Sequence, residues 1–165
     1  MAALIDDPEV EVRLQAETVI WLTTVDADGT PEPSPVWFCW DGASFVVYSY
    51  EKVPRLRNIA SRPIVSMHLN TTPEGGGVVV LSGRAALDPS LPPAHQHPGY
   101  ARKYRDGIAA KGGPEFSRRY PVAIRITPLT LRRSGVKGWT FTDLSGSRPR
   151  RTRAKGTPPA DRRSL

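Results

Sequence analysis

Apolar positions along this chain come in short runs of β-branched and aromatic residues divided by clusters of Gly, Pro and Asp, which predicts strands joined by tight turns. A leading helix comes first: Asp6 and Asp7 precede Pro8 as a helix start, and Val10, Leu14 and Ala16 carry an apolar stripe to about residue 17. The run TVIWLTTV (18–25) then reads as a strand, DADGTP as a turn, and SPVWFCW (34–40) as a second strand. That second strand is apolar on nearly every position, so neither of its faces can be left to water. A barrel interior is expected on one side and a partner subunit or flat ligand on the other.

Asp41-Gly42 is a hairpin turn, and SFVVYS (44–49) pairs back. In EKVPRLRNIASRP (51–63) the period changes to that of a short helix, with Pro54 in its first turn, Leu56, Ile59 and Ala60 on one side, and Pro63 ending it. IVSMHLN and VVVLSGRAALD supply two more strands around the Gly-rich loop 73–77. Tyr100, Tyr104, Ile108, Phe116 and Tyr120 then mark two short helices broken at Gly112-Gly113-Pro114. PVAIRITP and TLRRSG complete the strands. About six strands with helices inserted after the third and fifth predict a mainly β fold with a few short helices, a Greek-key split β-barrel. It occupies residues 1–140, followed by a basic, Pro- and Arg-rich tail over 141–165 that is expected to be disordered.

Charge changes the picture only once it is mapped. The net +7 on 165 residues suggests a nucleic-acid surface, but residues 145–165 hold seven Lys or Arg against one acid, leaving 16 basic and 15 acidic residues elsewhere. Nucleic acid is therefore not the expected partner. The single cysteine, Cys39, cannot form an internal disulfide. With no leader-like segment and no apolar run of about 20 residues, a cytoplasmic protein without membrane spans is expected. His95 and His97 lie between prolines without further ligands at a familiar spacing, so no metal site is expected. Neither GxGxxG nor a Walker loop occurs.

Candidate chemistry gathers where the third strand ends. Ser49, Lys52, Arg55, Arg57 and Asn58 arrive together at a helix start, where amide donors, the helix dipole and cationic side chains suit a phosphate. The aromatic strand containing Val36, Trp37 and Phe38 beside them suits a flat ring system.

The order of these motifs, DGTPxxxPVWF, a strand-end serine and RLRNI at a helix start, resembles the pyridoxamine phosphate oxidase-like split-barrel family over roughly residues 10 to 135. The likeness is strongest to its actinobacterial deazaflavin-dependent branch. The resemblance implies a homodimer with cofactor sites at the subunit interface, and hydride transfer between reduced 8-hydroxy-5-deazaflavin (coenzyme F-420) and a small reducible organic molecule. It places Val36, Trp37 and Phe38 beside the ring, and Ser49, Lys52, Arg55, Arg57 and Asn58 at the phosphate. Arg55 stands where many relatives have Lys, which keeps the charge and exchanges a point donor for a fork. A coenzyme of this type needs no catalytic side chain for the redox step. Tyr48, Tyr50 or solvent could supply a substrate proton, and the sequence does not choose. Flavin mononucleotide is the alternative cofactor. A non-catalytic carrier of a cofactor or tetrapyrrole, or an RNA-associated module working through the tail, is the alternative role.

Overall fold

The structure, a computed structural model, describes residues 5–135 and 138–146. Helix α1 (Pro8–Ala16) is capped by Asp7, whose carboxylate accepts from the Val10 amide. Strands β1 (Ile20–Val25), β2 (Pro31–Val36), β3 (Cys39–Trp40) and β4 (Phe45–Ser49) follow, then helix α2 (Pro54–Ser61) and strands β5 (Ile64–His68) and β6 (Val79–Leu87). Helices α3 (Pro98–Ala110) and α4 (Pro114–Arg118) lead to the long strand β7 (Val122–Gly135) and to β8 (Gly138–Asp143). The expected boundary at 140/141 falls inside β8, and Leu144 beyond it is buried in the core. Of the expected disordered tail, residues 147–165 lie outside the described residues.

All pairings are antiparallel in one curled sheet of order β2-β1-β5-β6-β7-β4-β3, with β8 added beside β7. The mainly β split-barrel expectation is met. The split has a local cause at the register shift between Ser82 and Gly83, opposite Pro128. Proline offers no amide to the ladder, so pairing breaks there and β7 changes its outer neighbour from β4 to β8.

The anticipated single strand 34–40 is two, because the backbone leaves the sheet at Trp37 and Phe38. The Tyr104 hydroxyl caps that break: it accepts from the Phe38 amide at 2.8 Å and lies 2.7 Å from the Thr18 carbonyl and 2.8 Å from the Phe38 carbonyl. Tyr104→Phe leaves the buried Phe38 amide unpaired, and chemical denaturation should show a loss of about 1–2 kcal/mol.

The all-apolar character of β3 and β4 is also explained, though not as anticipated. Trp40, Phe45 and Val47 face the barrel core, while Cys39, Val46 and Tyr48 pack under α3 with Ala94, Tyr100 and Ile108. The second cover on these strands is thus a helix of the same chain. Cys39 is sealed there, and burial pushes its thiol up. His97 caps α3, its Nδ1 accepting from the Tyr100 amide, and His95 Nδ1 lies 3.1 Å from Ser117 Oγ.

Lys103 on α3 is held with its ammonium 3.7 Å from the Phe38 ring centroid, donating to the Leu14 carbonyl at 2.9 Å. Burial lowers its pKa to about 8, opposed by Cys39 and Glu17. Between that value and the ordinary lysine value the unfolded chain binds more protons, so this group makes stability rise with pH. Denaturation midpoints at about pH 8.5 and about pH 10, both inside that window, should show wild type gaining on Lys103→Met. An unchanged gap would contradict the assignment.

Candidate functional site

The end of β4 and the start of α2 form the floor of a cleft of about 330 Å³ lined by Pro35, Val36, Trp37, Ser49, Tyr50, Arg55, Tyr100, Lys111, Phe116 and Tyr120. One end is polar. Ser49 is buried at the last position of β4, and Arg55 stands in the first turn of α2. Val53 caps that helix without a side-chain hydrogen bond, so the first-turn amides have no side-chain acceptor. Burial lowers the Arg55 pKa, and the group remains a cation at neutral pH. It has neither an ion pair nor a hydrogen bond among the described residues. A half-buried guanidinium without a counter-charge, beside a buried hydroxyl and a helix N-terminus, is a fitting anion site.

The other end is apolar and aromatic. Trp37 stacks on Tyr104 with centroids 4.5 Å apart and an interplanar angle of 3°, and Phe116 tilts against it at 5.7 Å. Gly107 permits this arrangement, since a Cβ there would lie 3.0 Å from the indole edge. Tyr50 and Tyr120 close the side wall, their hydroxyls 2.9 Å apart and their rings 4.3 Å apart. Past Tyr50 a second, shallower groove of about 480 Å³ continues between Lys52, Arg118 and Arg119.

Of the anticipated ring-side residues, Val36 and Trp37 line the cleft. Phe38 does not: it is fully buried in the core under Lys103, because the chain reverses side at the break between β2 and β3. Of the anticipated phosphate-side residues, Ser49 and Arg55 meet in the cleft, and Lys52 lies on the adjoining groove. Arg57 is exposed on α2 and outside the lining. Asn58 is buried, and its amide donates to Thr24 Oγ1 at 3.0 Å and Glu32 Oε2 at 2.7 Å, tying α2 to β1 and β2. Pro35, Tyr100, Lys111, Phe116 and Tyr120 were not among the anticipated site residues. Their only sequence signal is the helical spacing of Tyr100, Phe116 and Tyr120, which does not say what the helices face.

Trp139 and Phe141 lie on β8, 65% and 56% exposed. Phe141 ends a lateral row of paired residues across the sheet, Phe141, Arg132, Val80, His68, Trp21 and Pro35, five strands from the cleft residue Pro35. Trp21 and His68 stack within that row.

A sequence profile described as pyridoxamine 5'-phosphate oxidase matches residues 6–128. No curated protein matches the chain. Solved structures with this fold include an F420 reductase, 24% identical, with a TM-score of 0.57 over 72% of this chain and 91% of that one. A Clostridium acetobutylicum protein related to general stress protein 26 is 11% identical, with a TM-score of 0.63 over 82% and 92%. The haem storage protein HutZ of Vibrio cholerae is 17% identical, with a TM-score of 0.53 over 74% and 89%. At these identities the likeness is one of fold. No helix among the described residues is long and apolar enough to cross a membrane.

Proposed function

The chain belongs to the pyridoxamine 5'-phosphate oxidase family, and from that premise we propose that it is a homodimeric oxidoreductase using reduced 8-hydroxy-5-deazaflavin (coenzyme F-420) to reduce a small organic molecule. The observation that carries this reading is the unpartnered Arg55 beside Ser49 at one end of a cleft whose other end is Val36 and Trp37. Such polarity fits a coenzyme with a planar ring and a phosphate on a flexible chain. Arg55, Ser49 and the first turn of α2 would hold the phosphate, while Val36 and Trp37 would flank the ring. The bound coenzyme supplies the hydride; the protein fixes its position and keeps out water.

The groove past Tyr50 favours the deazaflavin over flavin mononucleotide, because Lys52, Arg119 and the Glu115-paired Arg118 outnumber its one acid, Glu51, and suit a ligand whose negative charge extends beyond one phosphate. Carriage of haem has less support: the cleft lining contains no His, Met or Cys, the usual axial ligands, although Tyr can serve. A second copy is part of the reading. The row that starts at the cleft residue Pro35 runs across the sheet to the exposed Phe141 five strands away, and a subunit seated along it would add a wall to the cleft at Pro35.

Titration of the purified protein with the deazaflavin, flavin mononucleotide and haemin, followed by fluorescence or absorbance, tests the proposal. Tightest binding of the deazaflavin and its steady-state oxidation with an added acceptor are expected. Binding of haemin alone would support the carrier reading instead.

A further inference from the structure

We propose that Tyr120 is the acid that protonates the acceptor in this cleft, and that Tyr50 restores its proton from water. The inference rests on the hydride-transfer reading above and names a catalytic residue within the same site.

Hydride transfer to an organic acceptor leaves an electron pair that must meet a proton, so a positioned donor accelerates the reaction. The cleft offers few candidates. Arg55 stays charged and lies at the phosphate end. Tyr48 is buried, its hydroxyl donates to the Pro92 carbonyl at 2.5 Å, and it does not line the cleft. Tyr100 is 4% exposed and packed between the rings of Tyr48 and Tyr104. Lys111 caps the end of α3, with its ammonium 5.8 Å from the Phe116 centroid at the rim.

Tyr50 and Tyr120 remain, and their geometry assigns them different roles. The Tyr50 hydroxyl donates to the Tyr120 oxygen at 2.9 Å. That bond leaves the Tyr120 proton without an acceptor among the described residues and free for a ligand in the cleft. It also places a donor on the oxygen that becomes anionic once the proton leaves. Burial pushes Tyr120 up to about 12, so it carries its proton at neutral pH. Tyr50 is 47% exposed and borders the open groove as well as the cleft, which gives the pair a path to solvent.

In the step, the acceptor gains a hydride from the reduced coenzyme at one atom of its reducible bond. The electron pair of that bond moves to the second atom, which bonds to the Tyr120 proton as the Tyr120 O–H bond breaks. The Tyr120 oxygen takes the Tyr50 proton, and Tyr50 takes one from water. The acceptor is reduced by two electrons and the coenzyme oxidised by two.

Tyr120→Phe, Tyr50→Phe and Lys111→Met, each loaded with coenzyme, test the assignment. Coenzyme affinity should stay within about twofold in both tyrosine variants, since neither hydroxyl is assigned to the phosphate. Turnover of Tyr120→Phe should fall at least about tenfold at little-changed KM, with an altered solvent deuterium isotope effect; Tyr50→Phe should fall less. A readout independent of turnover is the absorbance of 4-nitrophenolate titrated into the loaded protein. Tyr120→Phe should weaken its binding about tenfold, the value of one hydrogen bond to an anion. Normal coenzyme binding with unchanged turnover and probe affinity in Tyr120→Phe, or a loss confined to Lys111→Met, overturns the proposal and leaves the coenzyme reading standing. Failure of wild type to bind the coenzyme overturns both.

Discussion

Replacing Arg55 by alanine is expected to weaken coenzyme binding by about ten- to a hundredfold, while replacing Arg57 leaves it nearly unchanged. The two cations are two residues apart on one helix, yet only Arg55 reaches the cleft; Arg57 points into solvent. A charge-assisted contact contributes roughly 1.5 to 3 kcal/mol. Arg55 faces no competing carboxylate among the described residues, so its contact with a phosphate is not offset by a broken ion pair. Arg55→Lys should fall between, because a single ammonium replaces a planar fork. Fluorescence titration of the three variants against wild type gives the comparison. Equal losses for Arg55→Ala and Arg57→Ala would mean that the phosphate is held on the outer face of α2.

Gly83→Ala is expected to destabilise the fold by roughly 2 to 3 kcal/mol, a melting temperature lower by several degrees for a chain of this size. A methyl built at this position lies 2.6 Å from Ile126 Cγ2 and 3.0 Å from the Thr127 carbonyl oxygen. Ile126 is a side chain and could turn, but the carbonyl is backbone within the strand that the bulge already bends. The glycine thus lets β6 approach β7 where β7 changes partner. Thermal unfolding followed by circular dichroism measures the loss, and an unchanged midpoint would mean that the crossing is looser than described.

Much of this architecture is legible in the chain because its physical causes are local. The turns at Asp26 to Gly29 and at Asp41-Gly42, the prolines opening α2, α3 and α4, and the break at Gly112-Gly113 each act within a few residues. The apolar second strand signalled that both its faces are covered. It could not say by what, and the cover is α3, whose Tyr104 returns from 66 residues away to cap the strand break at Phe38. That break is also why Phe38 enters the core while its neighbour Trp37 faces the cleft.

The site was legible by the same rule. Ser49 and Arg55 are six residues apart and bracket one strand-to-helix turn, so their meeting is local. Asn58 belongs to the same polar cluster in sequence, but burial beneath α2 gives its amide to Thr24 and Glu32. Lys111, Phe116 and Tyr120 reach the cleft only because α3 and α4 fold back over β4, a tertiary fact with no linear signature.

The most direct test of the account is a crystal structure of the protein with the deazaflavin bound. The account predicts phosphate oxygens within hydrogen-bond distance of Arg55 and Ser49, the ring against Val36 and Trp37, and a second subunit closing the open side near Pro35. A phosphate seated away from Arg55, or a ring bound on the far side of α3, would contradict it.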